Sequence, residues 1–419
     1  MQTLTALVGN DVVTAAAKWT AALVLSMLLE PALCEVQEIV GTPTTLHGTA
    51  ERMISYRCQS HSWQTADGAT HVMINRGIAP GSDSLMLYST FDAGLTWVSS
   101  GITLPGSNGS STSDGYLEGN RLHMTYDVGT GTIRYVELSY EPDSRTWALG
   151  GRSTVYNAIG SMAMTPALAA DAIGRQWLTF THQDGVTGNY SIKLMRKSLF
   201  DLTWQDTGIV FGPVDRTSNE RSGRPIATSR GVGVVYTVHA DTFWAERRNT
   251  WPLDAQWAHV LITTKAGRMN DPYGTHFSIV ADSEFNMHLL SVDAGRVIYS
   301  RYRDGDSTWT TRSLTPKIRA TYLQATMVED KLTVVTNNFS ILSVFQSNDG
   351  GETFVHTHDL KHGAQTGSVN YDRPRVETPA YSRNPMPVLQ QYAEGPIQRA
   401  LFFSVTAATG SAATPSPQP

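Results

Sequence analysis

Hydrophobic and polar residues alternate with a period of two along almost the whole chain after residue 35. This is the period of a β-strand, whose successive side chains point to opposite faces of a sheet. We find no segment of useful length after residue 35 that follows the helical period of 3.6 residues. The pattern therefore predicts an all-β protein built from many short strands.

The most apolar strands recur about every fifty residues, each after a polar segment and a turn that contains Asp or Gly. A repeat of this kind is typical of a β-propeller, in which each blade is a four-stranded antiparallel sheet. Seven segments are predicted to be the second strands of blades: residues 71–74, 122–126, 177–180, 232–236, 287–290, 332–335 and 388–392. The repeat therefore predicts seven blades, with six as the alternative.

The last repeat shows only three strands before the chain changes in composition. Residues 36–47 are predicted to supply the missing outer strand. Pairing the two ends of the chain in one sheet would close the ring and leave no open sheet edge. The propeller is accordingly expected to span residues 35–406.

Two segments share the pattern Ser/Thr-x-Asp-x-Gly-x-Thr-aromatic, known as an Asp-box: residues 90–97 and 347–354. In such a turn the Asp carboxylate accepts hydrogen bonds from turn amides, and the Gly adopts a backbone angle that other residues resist. Looser copies end at Trp147, Trp204 and Trp309. Because these turns join the third and fourth strands of a blade, we expect them to be structural and to lie on the face opposite the functional site.

The two ends of the chain differ in composition from the repeats. Residues 1–34 contain an apolar stretch of roughly ten residues, which is too short to span a bilayer and fits the core of a signal peptide cleaved near Cys34. We therefore expect a secreted or periplasmic protein that is not attached to a membrane after cleavage. Residues 407–419 are rich in Ala, Thr, Ser and Pro, and are expected to form a disordered tail.

Composition and charge exclude several functions. The 419 residues include 32 Lys plus Arg against 37 Asp plus Glu, a formal net charge of −5, so there is no basic footprint for nucleic acid. Once Cys34 is removed, Cys58 has no disulfide partner, and the fold must rely on its core. His356 and His358 are spaced as on one strand, and a pair of this kind does not by itself predict a metal cluster. We expect a monomer without a metal or other cofactor.

Residues that open the first strand of each blade should surround the mouth of the central channel. These residues and the loops between second and third strands hold the candidate site: Arg57, Arg76, Asp83, Arg224, His239, His276, Tyr322, Tyr371 and Arg373. Guanidinium groups suit carboxylate or sulfate ligands, and Tyr and His are candidates for general acid or base. A single arginine can equally be a structural ion-pair partner, as Arg224 would be if it paired with Glu220.

Residues 56–97 resemble the first blade of sialidases. In that family an aromatic residue followed by Arg opens the blade, and an Asp-box closes it, as Tyr56-Arg57 and residues 90–97 do here. The resemblance implies that Arg57, Arg224 and Arg373 bind the carboxylate of a sialic acid, and we place Arg76 and His239 beside them as further substrate-binding residues.

The same resemblance implies the catalytic groups of a sialidase. Asp83 lies in the loop that would supply the acid/base, and Tyr322 or Tyr371 would be the nucleophile, with Glu220 as its activating partner. On this basis we expect an exo-glycosidase that acts on an acidic carbohydrate.

Two other functions remain open. Sialidases have six blades, whereas the repeat predicts seven, and Arg57 is followed by Cys and Gln where sialidases have Ile and Pro. Seven blades with His and Tyr at the mouth resemble certain polysaccharide lyases, in which His276, His239 and Tyr322 would exchange protons while Arg neutralises a uronate. The third function is a propeller that binds a glycan or a protein without catalysis, for which we expect an open, aromatic-lined face.

Overall fold

The computed structural model shows a β-propeller of seven sheets, and no helix occurs among the residues that it describes. None of these residues therefore belongs to a helix long and apolar enough to cross a membrane. The signal peptide predicted at 1–34 and the tail predicted at 407–419 lie outside the described residues. The structure describes residues 36–37, 47–48, 52–54, 56–77, 84–105, 112–128, 131–197, 203–216, 221–239, 241–252, 255–264, 274–314, 318, 320, 322–338, 341–360, 369–394 and 397–406.

The first four blades are four-stranded antiparallel sheets whose strands are ordered as in the sequence. Blade one contains Ser62–Gln64, Thr70–Asn75, Ser84–Thr90 and Val98–Pro105. Blade two contains Ser113–Glu118, Arg121–Asp127, Thr132–Glu141 and Thr146–Asn157. Blade three contains Met162–Ala170, Gln176–Gln183, Tyr190–Lys197 and Gln205–Asp215. Blade four contains Ser222–Thr228, Gly231–Val238, Asp241–Arg248 and Ala258–Thr263.

The remaining blades complete the ring. Blade five contains Phe277–Ala281, Met287–Asp293, Arg296–Arg303 and Thr308–Ser313. Blade six contains Tyr322–Val328, Lys331–Asn338, Ile341–Ser347 and Val355–Leu360, and the short strand Tyr381–Ser382 pairs in parallel with its first strand. Blade seven contains Val369–Glu377, Met386–Glu394 and Ile397–Val405, with Val36–Gln37 and His47–Gly48 on its outer edge.

The ring closes where the two ends of the chain pair, as predicted. Val36 lies opposite Val405 and His47 lies opposite Arg399, so two short N-terminal strands, Val36–Gln37 and His47–Gly48, occupy the outer edge of blade seven. This pairing covers the sheet edge that the last strand would otherwise expose.

The seven predicted apolar segments all lie in the second strands of their blades, which confirms the blade count. These strands are buried on both faces because each blade packs against two neighbours, and this burial explains why they are almost continuously apolar instead of alternating. Between blades one and two, for example, Trp63 and Met73 pack with Leu122 and Val136. The first strands of blades two, three and four contact one another in turn, as do those of blades five, six and seven, and first strands therefore line the central channel.

Two turns with nearly identical hydrogen bonds, which we call the Asp turns, join third and fourth strands at residues 90–97 and 347–354. In the first, Asp92 Oδ1 accepts hydrogen bonds from Thr96 N at 2.9 Å and from Thr90 Oγ1 at 2.8 Å. In the second, Asp349 Oδ1 accepts the equivalent bonds from Thr353 N at 2.8 Å and from Ser347 Oγ at 2.7 Å. The carboxylates are occupied by their own turns, which indicates a structural role.

We expect Asp349→Ala to lower the free energy of unfolding by roughly 1 kcal/mol, because the turn loses the acceptor of its amide and hydroxyl groups at an exposed position. Partial burial raises the pKa of Asp349, but the bonds from Thr353 and Ser347 outweigh it and hold the pKa at about 2. The contribution should therefore be complete above the ordinary carboxyl pKa of about 4 and disappear as the pH falls towards 2. Urea unfolding at several pH values measures this, with the exposed Asp330→Ala as the control; equal stability of both variants would contradict it.

A buried histidine links blades one and two. His71 is fully buried, with Nδ1 accepting a hydrogen bond from Trp147 Nε1 at 3.1 Å and Nε2 lying 3.0 Å from Thr65 Oγ1. Burial lowers the pKa of His71 to about 4, and the nearby charge of Asp67 offsets only part of this shift. The folded state therefore holds the neutral imidazole.

This histidine should make the fold sensitive to acid. Its contribution is complete above its ordinary pKa of 6.5 and is lost as the pH falls from 6.5 towards 4, by roughly 2–3 kcal/mol, because only the unfolded chain takes up a proton over that range. We expect the free energy of unfolding of the parent to drop by at least this amount between pH 7 and pH 4.5 (about two pKa units), because burial also lowers the pKa values of His123, His182 and His259. The drop should be smaller in His71→Gln, and an equal drop in both proteins would contradict the assignment.

Candidate functional site

The segment before the first strand of blade one, residues 56–61, lies inside the central channel, and we call it the channel segment. Residues 57–61 are buried. Its hydrogen bonds reach five other blades: Ser60 bonds Asp114, Gln59 bonds Pro166, Cys58 bonds Arg224, Arg57 bonds Gln324 and His61 bonds Glu377. The sequence pattern predicts Tyr56 and Arg57 at the rim of the channel, whereas the structure brings Arg57 into its interior.

Asp114 and Arg224 form a buried ion pair across the channel. Arg224 Nη1 lies 2.9 Å from Asp114 Oδ1, and Asp114 is completely buried. Arg224 also donates to the Cys58 carbonyl and, through Nη2, to Ser60 Oγ at 3.1 Å. Burial lowers the pKa of Arg224, but the Asp114 carboxylate outweighs it and the pKa is raised. A ligand carboxylate would have to displace Asp114, so Arg224 has a structural partner that differs from the Glu220 considered above.

Arg57 meets Tyr322 and Arg375 on the face where the first strands begin. The Arg57 guanidinium lies 4.1 Å from the centre of the Tyr322 ring, and each residue is only 6 % exposed. Arg375, on the first strand of blade seven, interacts with the same phenol, and this contact opposes the lowering of the pKa of Arg375 by burial. One phenol is therefore in contact with two guanidinium groups.

Arg52 and Tyr56 extend this group, and we call Arg52, Tyr56, Arg57, Tyr322 and Arg375 the Arg–Tyr cluster. Arg52 Nη1 donates to Tyr56 Oη, and its guanidinium lies 4.9 Å from the centre of that ring. Arg52 is close enough to Arg375 for its charge, after burial, to lower the pKa of Arg375. The cluster thus combines three positive charges and two phenols from blades one, six and seven.

The phenol of Tyr322 keeps its proton at neutral pH. Burial raises its pKa more than the charges of Arg375 and Arg57 lower it, and the charge of Glu377 adds to the rise. Glu377 itself bonds to the channel segment: its Oε1 accepts from His61 N at 2.9 Å, and its Oε2 lies 3.2 Å from His61 Nδ1. A protonated phenol can donate a proton or a hydrogen bond, but it is a poor nucleophile.

Asp215 contacts both His239 and Arg221, at the end of blades three and four where first strands begin. His239 Nε2 lies 3.2 Å from Asp215 Oδ2, and Arg221 Nη2 lies 2.6 Å from Asp215 Oδ1. The His239 side chain is 40 % exposed. Its φ of 51° lies in the left-handed region, which is expected in the tight turn between the paired residues Val238 and Asp241.

His276 lies near the same junction. The Gly274 carbonyl accepts hydrogen bonds from Ser222 Oγ at 2.8 Å and from Thr237 Oγ1 at 3.1 Å, which ties the entry of blade five to blade four. His276 follows Gly274 by two residues, and His239 follows Thr237 by two residues. The hydrogen bonds of Gly274 therefore join the segment that carries His276 to the strand that ends just before His239.

The other predicted site residues are only partly described. Arg76 Nη1 donates to Tyr88 Oη at 3.1 Å. Tyr371 and Arg373 lie on the strand Val369–Glu377, but their side chains are outside the described part, as are Asp83 and Glu220 altogether. Their proposed roles stay predictions. No group of three or more His, Cys, Asp or Glu that could hold a metal ion occurs among the described residues.

The channel widens beyond the channel segment into a chamber of about 360 Å³. Its walls come from the ends of the first strands, where Trp63, Leu117 and Ile226 contribute large apolar side chains. Because first strands end on the face that carries the Asp turns, this chamber and the Arg–Tyr cluster lie on opposite sides of the channel segment.

No protein-family model and no curated protein matches the chain. Solved structures share its fold. The polysaccharide lyase Uly1 is 12 % identical, with a TM-score of 0.53 over 89 % of this chain and 99 % of that chain. An α-L-arabinanase of Penicillium chrysogenum is 12 % identical, with a TM-score of 0.47 over 90 % and 98 %. A sialidase of Trypanosoma rangeli is 10 % identical, with a TM-score of 0.46 over 88 % of this chain and 58 % of that chain.

Proposed function

We propose that the protein binds an acidic carbohydrate at the Arg–Tyr cluster and cleaves it by elimination. The observation that carries the proposal is the contact of Arg57 with the protonated phenol of Tyr322, with Arg375 beside the same ring. A guanidinium group pairs with a carboxylate through two parallel hydrogen bonds. A phenol next to that carboxylate is placed to give a proton to the leaving group.

The reaction requires a uronate sugar whose carboxylate is neutralised by Arg57 and Arg375. Neutralisation makes the proton on the carbon next to the carboxylate more acidic, and a base removes it. The released electron pair forms a carbon–carbon double bond as the bond to the departing glycosidic oxygen breaks, and Tyr322 gives its proton to that oxygen. The products are a sugar with a free hydroxyl and an unsaturated uronate that absorbs in the ultraviolet.

His239 and His276 are the candidate bases. The Asp215 carboxylate favours the tautomer of His239 that carries its proton on Nε2, so that Nδ1 is the basic nitrogen. His276 shares the junction between blades four and five. The overall fold agrees with an elimination, since the polysaccharide lyase Uly1 has the same propeller architecture over nearly its whole length.

Hydrolysis of the sialidase type is the second candidate. The presence of three arginines in one cluster, two of them at Tyr322, with Glu377 nearby, favours it, although Arg52 and Arg375 take the places predicted for Arg224 and Arg373. The raised pKa of Tyr322 opposes it, because a tyrosine nucleophile must lose its proton. Seven blades also differ from the six of sialidases.

Product analysis distinguishes these reactions. We expect purified protein to convert a uronate-containing polysaccharide into products with new ultraviolet absorbance. Replacing the histidine that acts as base, in His239→Asn or His276→Asn, should lower the rate by about 10²–10⁴-fold, while Asp92→Ala on the opposite face should leave the rate of folded protein unchanged.

Other outcomes would decide against elimination. Release of a monosaccharide without new absorbance would show hydrolysis and redirect attention to Asp83 and the tyrosines. If the protein binds acidic glycan and releases neither product from any sialylated or uronate-containing substrate, it is a binding module. We propose that the protein acts outside the cytoplasm, where it would encounter such polymers.

A further inference from the structure

A second group of arginines lies between blades three and four, at the end of the blades that carries the Asp turns. There Trp177, Arg196, Gln205, Asp206 and Arg247 help to line a cavity of about 230 Å³. A water molecule occupies about 30 Å³ in the liquid. The cavity therefore has room for a small polyatomic ion together with several waters.

The strand register of blade three explains one wall of this cavity. Trp177 lies opposite Arg196, and Arg196 lies opposite Gln205, so their side chains share one face of the sheet. Arg196 Nη2 donates to Gln205 Oε1 at 2.8 Å. Arg247, on the third strand of blade four, forms the facing wall, with its guanidinium 5.9 Å from the centre of the Trp177 ring.

Arg247 is a buried cation without an anionic partner in the described part of the chain. It is only 1 % exposed. Nη1 donates to the Arg248 carbonyl at 3.2 Å and Nη2 to the Trp251 carbonyl at 2.5 Å, whereas Nε has no hydrogen-bond partner among the described residues. Backbone carbonyls satisfy some of its N–H groups but do not balance its charge, and an uncompensated buried charge is costly.

Neighbouring charges add to this positive potential. Arg175 lies 5.7 Å from the centre of the same Trp177 ring, on which Arg247 also lies. Burial, followed by the charges of Arg175 and Arg196, lowers the pKa of Arg247, and Asp171 opposes this only weakly. Three guanidinium groups thus converge on one region.

The carboxylates of this region already have partners. Asp171 Oδ2 accepts hydrogen bonds from Arg175 Nε at 2.8 Å and from Trp177 Nε1 at 3.1 Å. Asp206, which lines the cavity, lies 3.4 Å from Lys193 Nζ and accepts a bond from Gly208 N at 2.9 Å. Among the residues that the structure describes, these two carboxylates face four cations (Arg175, Lys193, Arg196 and Arg247), an excess of two positive charges.

We propose that this cavity binds a small oxyanion, either a sulfate or phosphate ion or the sulfate ester of a glycan, between Arg247 and Arg196. An oxyanion supplies the negative charge that Arg247 lacks and several acceptors for guanidinium N–H groups. The site lies on the face opposite the Arg–Tyr cluster, and its occupation does not depend on the reaction proposed there.

The test measures binding of sodium sulfate to the full protein by isothermal titration and by thermal melting, with sodium chloride at equal ionic strength as the reference. We expect sulfate to bind and to raise the melting temperature beyond chloride. Arg196→Gln should weaken binding by about tenfold or more, the usual contribution of a charge-assisted hydrogen bond. Arg152→Gln removes one charge from an exposed position on blade two and should bind like the parent. Arg247→Met should also lose binding where it folds.

Further measurements identify the source of the anion and distinguish binding in this cavity from binding at the Arg–Tyr cluster. Competition by a sulfated monosaccharide would identify a sulfate ester as a ligand, whereas binding of sulfate or phosphate alone would identify an inorganic ion. Arg57→Ala should bind sulfate like the parent. Two results would overturn the inference: no stabilisation by sulfate beyond chloride, or loss of sulfate binding in Arg57→Ala but not in Arg196→Gln. The second result would still support the proposed function.

Discussion

Arg57→Ala is expected to abolish or greatly weaken action on an acidic glycan, at a cost of roughly 2–5 kcal/mol in binding or transition-state stabilisation. The variant would remove one of the two guanidinium partners proposed for the substrate carboxylate, in a region where Arg57 and Tyr322 are both almost completely buried. Kinetics on a uronate polymer measure the effect, and thermal melting establishes that the variant is folded.

Two further variants define the role of Arg57. Arg57→Lys keeps the charge but should recover activity only in part, because an ammonium group cannot make the two parallel hydrogen bonds of a guanidinium. Arg152→Ala removes an exposed arginine from blade two and should be fully active. If Arg57→Ala is stable and as active as the parent, the Arg–Tyr cluster is not the substrate site.

Asp114→Asn is expected to lower the free energy of unfolding by roughly 3–5 kcal/mol, because the buried guanidinium of Arg224 then has no compensating charge. The carboxylate also accepts hydrogen bonds from Ser60 N and Leu168 N, both at 2.6 Å, so that it joins the channel segment to blades two, three and four. Urea unfolding measures the loss.

A double-mutant cycle separates the ion pair from its surroundings. Adding Arg224→Met to Asp114→Asn should restore part of the stability, because the methionine removes the buried guanidinium charge that Asp114→Asn leaves without a partner. A loss below about 1 kcal/mol for Asp114→Asn, combined with loss of activity, would contradict the structural role and return Arg224 to the substrate site.

The fold could be predicted from the sequence because its signals are local. Three signals depend on residues that are close together in the chain: the strand period, the burial of second strands on both faces, and the turn chemistry at Asp92 and Asp349. Ring closure by residues 36–47 followed from counting strands. The channel segment was not foreseen, because a polar segment before a strand has the same pattern whether it lies at the rim of a channel or inside it.

The site was predicted less completely, since it depends on contacts between distant residues. Arg57 lies in the Arg–Tyr cluster, but the pairing of Arg224 with Asp114 joins residues 110 positions apart and leaves no sequence pattern. Arg373 was predicted to bind the substrate, whereas the described contact with Tyr322 is made by Arg375, two residues further along the same strand. No repeat marked Arg52.

The most direct test of the account compares one uronate polymer in two forms, the native acid and its carboxyl-reduced neutral derivative. Because the Arg–Tyr cluster is proposed to bind the carboxylate, the parent should bind and cleave the acid and have little action on the reduced polymer. Arg57→Ala should lose most of this discrimination. Equal binding of the two polymers by the parent, or unchanged discrimination in Arg57→Ala, would contradict the central claim that this cluster recognises an acidic glycan.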